Sequence, residues 1–194
     1  MAYTPNVTLN ARRVFTNLKH IYFTPWTDEA TLGSETYDLV DIVGDATSVE
    51  QEDNEVNEIE HEFRAEPLYE NTSLGKKTFT TECVDLQNKV LGALLGWEVD
   101  EDGNALASTS YKDLYCMIEL GFNSTDDIVV LPKVRLNGKA VMASMKTDLS
   151  RATISGTCYS AYVEAGSTKG MTDCAIVTKD NVSSYKVAAK ATEA

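Results

Sequence analysis

The chain has 194 residues, 43% of them hydrophobic and 24% charged, which suits one globular domain with a core large enough to stand without disulfide staples. A formal net charge of −13 argues against sequence-independent binding to nucleic acid, which needs lysine and arginine to displace phosphate counterions, and against an anionic membrane surface. No stretch approaches the roughly 20 apolar residues of a membrane span, and only 4 prolines leave no long linker or low-complexity tract.

The opening "MAYTPNVTLNARRVF" lacks a continuous apolar segment after its basic residues. It is therefore not expected to be a secretory leader, and residence in a cytoplasm follows. On that expectation the Asn-x-Ser/Thr triplets at Asn6, Asn71, Asn123 and Asn181 carry no meaning as glycosylation sites. "VFTNLKHIYF" reads as a strand, "TPWTDEATLGSET" at about 24 to 36 as a long loop, and "YDLVDIVG" as a second strand.

Residues 50 to 63, "EQEDNEVNEIEHEF", then place seven carboxylates and no lysine or arginine in fourteen positions. Within them Ile59, His61 and Phe63 alternate with Glu58, Glu60 and Glu62, the pattern of a strand with one acidic face. Such a run can protect an edge strand from pairing, form a solvated acidic loop, or line a surface over which a polyanion must pass without adhering. From about 64 to 78 periodicity fades again, which reads as a second long loop.

"TECVDLQNKVLGALLGW" carries the best helix signal. Thr81 is a candidate cap, Glu82 and Asp85 suit the first turn, and Gly96 suits the left-handed stop. Leu86, Val90, Leu91 and Leu94 recur at three- and four-residue steps, so one amphipathic helix is expected at about 82 to 95. Beyond it "DLYCMIELGF" reads as a strand, and "DIVVLPKVRLNGKAVMASMKTD" as two strands turning at Asn137-Gly138, with Pro132 marking an edge or a bulge. "ATISGTCYSAYV" and "DCAIVTK" complete a β-meander, and the polar tail "SSYKVAAKATEA" reads as an arm or as a disordered end.

Catalytic signatures do not emerge from this pattern. Only His20 and His61 could serve as imidazole bases, and there is no G-x-S-x-G, phosphate-binding glycine loop or H-E-x-x-H around them. Glu58, Glu60, His61 and Glu62 are metal-ligand types, but strand alternation sets His61 opposite the glutamates, and "EQEDNE" lacks the spacing of a calcium loop. Cys83, Cys116, Cys158 and Cys174 are widely spaced and read as buried free thiols. No enzyme activity, cofactor or resident metal is expected.

Taken in order, the acidic segment, "GKKTFTTECVDLQNKVLGALLGWEVDEDG" and "VLPKVRLNGKAVMASMKTDLSRATISGTCYSAYV" resemble the major tail tube proteins of long-tailed bacteriophages and related injection machines. The resemblance covers the layout and residues of about 75 to 103 and 130 to 163. It implies a mainly β fold, a β-sandwich or barrel-like single domain over residues 1–194 with one flanking helix, long loops and a polar C-terminal tail. It also implies hexameric rings stacked into a tube, whose inner strands join around a channel that DNA crosses without specific binding.

Carried onto this chain, the resemblance assigns Leu86, Val90, Leu91 and Leu94 to helix packing, and the reaches at about 24 to 36 and 64 to 78 to contacts between rings. It turns Glu58, Glu60 and Glu62 toward the channel, with Glu50, Glu52, Asp53 and Glu55 contributing, and expects Lys133, Arg135 and Lys139 to pair with acids of a neighbouring subunit. The implied partners are other copies and other tail proteins, in a virion tail assembled in the host cytoplasm. The rival readings are a head-to-tail connector, tail terminator or capsid decoration protein, and an acidic calcium- or carbohydrate-binding β-sandwich module.

Overall fold

Strand propensity dominates the structure, a computed structural model that describes residues 15–39, 42, 46–59, 69–84, 87–107, 112–141 and 151–190. Strands β1 (Leu18–Pro25), β2 (Tyr37–Asp38), β3 (Ser48–Gln51), β4 (Glu55–Ile59), β5 (Tyr69–Ser73) and β6 (Lys77–Cys83) precede helix α1 (Asn88–Leu95). After it come β7 (Glu98–Val99), β8 (Ala105–Leu106), β9 (Leu114–Phe122), β10 (Thr125–Val141), β11 (Arg151–Tyr159), β12 (Ala161–Ala165), β13 (Thr168–Thr172), β14 (Ala175–Val177) and β15 (Lys186–Ala188). The fold is mainly β, as the sequence predicts.

One antiparallel sheet runs in the order β2-β1-β9-β10-β11-β6-β3, with β14 also paired to β10. A flat sheet would hold β1 and β3 about 24 Å apart, five strand spacings. Instead Leu18 of β1 and Val49 of β3 both pack on a single buried cluster built from Ile21, Phe23, Phe79, Ile118, Leu131 and Ile154. The sheet is therefore curled around its core, and an isolated bridge from Ile42 to Cys83 carries the chain from one edge toward the other. Among the described residues the curl does not close into a barrel.

The centre of the sheet is the 17-residue β10, which passes straight through the expected Asn137-Gly138 turn. Asn137 pairs with Ser155 and Gly138 with Ile154 in an unbroken ladder to β11. The glycine serves packing here. A Cβ at Gly138 would lie 2.1 Å from Leu95 Cδ2 and 2.8 Å from the Leu94 carbonyl oxygen, so only a residue without a side chain lets α1 approach the strand this closely. Pro132 does mark a bulge, because the β9–β10 register shifts between Leu131 and Val134. On its other edge β10 pairs with β14 through residues 128–130 and with β11 from Lys133 onward. The proline thus sits where neither neighbour needs its missing N–H.

Helix α1 is shorter than the expected 82 to 95. Thr81 is no cap: it is wholly buried in β6, and its Oγ1 lies 2.8 Å from Thr47 Oγ1. Alternating burial of Phe79, Thr81 and Cys83 shows that sheet packing outweighs helix-start chemistry at this point. The predicted stop holds, with Gly96 at φ 69° and its N–H donating to the Leu91 carbonyl. Val90 and Leu94 are buried in the main core and Leu91 is buried as well, while Leu86 falls outside the described residues. The second predicted loop also contains regular structure, since β5 and the first residues of β6 occupy most of 69–78.

A second sheet, β13-β12-β15, covers part of the opposite face of the main sheet. Met117, Ile128, Val130 and Val177 form its buried contact, joined by Ala165, Tyr185 and Val187. Through Tyr185 and β15 the tail that reads as a free arm is folded onto the body. The Tyr185 hydroxyl donates to the Glu119 carboxylate. Burial first, and this hydrogen bond second, push the phenol pKa well above its ordinary value.

Gly138→Ala is predicted to cost about 1–3 kcal/mol of stability in urea unfolding, because the added methyl must displace Leu95 or the end of α1. Tyr185→Phe is predicted to cost about 1 kcal/mol at neutral pH through the lost hydrogen bond. Above the ordinary tyrosine value of 10.0 the unfolded chain gives up a phenol proton that the native state keeps, so the wild type loses a contribution there that the Phe variant does not have to lose. The difference between the two proteins, measured by denaturant titration at rising pH, narrows above that value.

Candidate assembly surfaces

The described part of the acidic run, residues 50–59, forms one side of a two-stranded ribbon. Its base is in the main sheet, where β3 pairs with β6 and sets Glu50 opposite Thr78. The ribbon then pinches: the Glu52 N–H donates to the Lys76 carbonyl at 2.9 Å, and the Gly75 N–H donates to Asn54 Oδ1 at 3.1 Å. A Cβ on Gly75 would fall 1.8 Å from the Glu52 carbonyl oxygen, so this crossing requires glycine. Past the pinch β4 pairs with β5 alone, and neither strand packs extensively on any other described element.

Of the acids singled out in the sequence, Glu50, Glu52, Asp53 and Glu55 are all exposed. They run from the sheet edge along the ribbon, and Glu58 lies farther out, at a register position opposite Glu70. Glu60 and Glu62 lie outside the described residues. Like charges directly opposed in a ladder weaken it. Val56 at 50% and Leu74 at 80% exposure add apolar surface to the same ribbon.

Strands β3, β6, β11 and the second half of β10 present a polar outer face. Alternation sends Val49, Phe79, Ile154 and Leu136 into the core, and leaves Glu50, Thr78, Thr80, Thr153, Ser155, Thr157, Arg135 and Asn137 on the opposite side. A shallow trough of 520 Å³ crosses it, lined by Thr78, Thr80, Arg135, Asn137, Ser155 and Thr157. Hydroxyls dominate this surface. Thr153 donates to Glu82 Oε1 at 3.1 Å, and Ser155 donates to the Asn137 carbonyl at 3.1 Å.

At one end of this face lies a group that sequence spacing does not reveal. The Lys133 ammonium sits 5.2 Å from the Trp26 ring centroid and 4.7 Å from that of Tyr115, and donates to the Glu29 carbonyl at 2.7 Å. Trp26 Nε1 donates to the Pro132 carbonyl at 3.1 Å, and Tyr115 meets Tyr159 edge-on with centroids 6.3 Å apart. Arg135 Nε bonds Asp113 Oδ1 at 2.6 Å. Arg135 pairs with Asp113 of its own chain because the β9–β10 register sets it opposite Tyr115, two residues beyond Asp113.

These contacts also give the first predicted loop a shape. Trp26 and Leu32 form an isolated bridge, and the Thr27 N–H donates to the Thr31 carbonyl at 2.9 Å. The Asp28 carboxylate accepts from the Ala30 and Thr31 N–H groups at 2.7 Å each, which holds its pKa below the ordinary carboxylate value. The result is a tight, internally bonded turn.

Among the described residues no three His, Cys, Asp or Glu side chains are grouped so as to hold a metal ion, and no helix is long and apolar enough to cross a membrane. No protein-family model and no curated protein matches the chain.

Proposed function

We propose that this chain is a structural subunit that assembles with copies of itself into stacked rings, a tail tube protein of the kind its sequence resembles. The observation that carries this reading is the acidic ribbon. A two-stranded hairpin is marginally stable alone in water, yet this one extends past the sheet with opposed glutamates and exposed Val56 and Leu74. An arm of that kind gains its stability from what covers it. A neighbouring copy is the partner that a self-assembling subunit always has at hand.

Two further features support the reading. Among the described residues the main sheet ends in β2 on one side and β3 on the other, so one edge of a copy can meet a different edge of the next. Such a heterologous contact closes into a ring or continues as a filament according to its angle. In a ring the hydroxyl-rich face of β3, β6, β11 and β10 is the natural inner wall, with Glu50 and Glu82 in it and the ribbon acids reaching toward the next ring. A subunit of net charge −13 gives a passing DNA duplex little to bind. The acidic run then divides its work between repulsion at the wall and contact through the ribbon.

Negative-stain electron microscopy of the concentrated protein, paired with sedimentation, tests this. Stacked rings with an open channel are predicted. The triple variant Glu52→Lys, Asp53→Lys, Glu55→Lys is predicted to keep the wild-type circular dichroism and melting temperature while losing stacking, since these side chains are exposed. Discrete, unstacked rings would indicate a connector or terminator instead. A protein that stays monomeric at every concentration would contradict the proposal.

A further inference from the structure

Two of the four cysteines pack on the rim of the same core cluster. Cys158 is the penultimate residue of β11, with its side chain buried in the main cluster, and Cys174, half-buried in the turn between β13 and β14, packs against that same cluster. Lys77 joins the two segments. The β11–β6 ladder that pairs Thr157 with Thr78 brings Lys77, the first residue of β6, beside Cys158. The Lys77 ammonium donates to both oxygens of Asp173, at 2.7 and 2.9 Å, and Asp173 is the residue before Cys174. The turn is fixed from within as well: the Thr172 hydroxyl donates to the Cys174 carbonyl at 2.7 Å.

From this geometry we infer that Cys158 and Cys174 are a cross-linkable thiol pair, a modification site that small-molecule disulfides convert to an intrachain disulfide. The inference stands apart from the assembly reading. In the reaction the Cys174 thiolate attacks one sulfur of the oxidant RS–SR, forming a mixed disulfide and releasing one RS⁻. The Cys158 thiol then loses its proton to solvent and attacks the Cys174 sulfur, releasing the second RS⁻. Two protein thiols are oxidised and one disulfide is reduced to two RSH.

The order of attack follows from the surroundings. Burial pushes both thiols up, that of Cys158 to about 12, and the Lys77 ammonium opposes the effect at both; Cys174 is the more open of the two, so the oxidant reaches it first. Cys83 and Cys116 are wholly buried and are expected to stay reduced. Closing the pair would fasten the β13–β14 turn to β11 and tie off the loop that carries β12 and β13. That staple is compatible with a protein that folds in a reducing cytoplasm and later works outside it.

The test uses the full-length protein, purified under reductant and then held, folded, in glutathione disulfide. After alkylation of the remaining thiols and trypsin digestion, Cys158 lies in residues 152–169 and Cys174 in residues 170–179, separated by cleavage at Lys169. The expected result is a linked pair of these peptides from a chain that runs as a monomer on a non-reducing gel, with a melting temperature about 5–10 °C above that of the reduced protein. Cys174→Ser is expected to show neither the link nor the shift. Four alkylated thiols, a glutathione adduct on Cys174 alone, or a link between two chains would overturn the inference.

Discussion

The close approach of helix α1 to β10 at Gly138 is the contact on which the rest of the structure depends. Because no side chain stands there, Leu94 and Leu95 settle directly against the strand and the helix closes the lower part of the core. Because β10 runs on through that point, its ladder to β11 extends unbroken from Lys133 to Val141. A turn at Asn137-Gly138 would have cut that ladder short at Leu136 and left the first half of β11 without its partner. The polar trough and the base of the acidic ribbon both rest on β11 and β6.

The bulge at Pro132 is the complementary device on the same strand. It shifts the register, brings Lys133 over Trp26 and Tyr115, and offers its carbonyl to the Trp26 indole. A position that cannot donate to a ladder is thus placed where the ladder changes partner, and the side chains beside it shape the turn after β1. The open face carries basic residues at Lys133, Arg135 and Lys139: Arg135 pairs with Asp113, and Lys139 is exposed at the register position opposite Thr153.

Features governed by neighbouring residues were legible in the sequence, and features decided across the fold were not. Gly96 ends the helix by its own left-handed conformation, and proline disrupts a ladder wherever it stands, so both could be read locally. The Asn-Gly pair failed as a turn signal because the space demanded by Leu95 lies more than forty positions away in the chain. Thr81 failed as a cap for a similar reason: it is surrounded by sheet partners that its local sequence does not name. The aromatic and cationic group assembles Trp26, Tyr115, Lys133 and Tyr159 from positions up to 133 residues apart, and no spacing rule could have collected it. The acidic run was plain as a charge pattern, whereas its position on a ribbon past the sheet follows from register alone.

Electrostatics and packing together describe a chain whose body is internally satisfied and whose ribbon is not. Among the described residues no buried side-chain nitrogen or oxygen lacks a hydrogen-bond partner, while the ribbon holds exposed apolar groups, clustered carboxylates and unpaired strand edges. The most direct measurement of the claim that this ribbon is a docking arm is hydrogen–deuterium exchange, comparing dilute subunits with the concentrated, assembled protein. The account predicts that amides of residues 52–59 and 69–76 exchange rapidly in the dilute subunit and slow strongly on assembly, while those of β10 are protected in both. Ribbon exchange that is the same in the two states would contradict it.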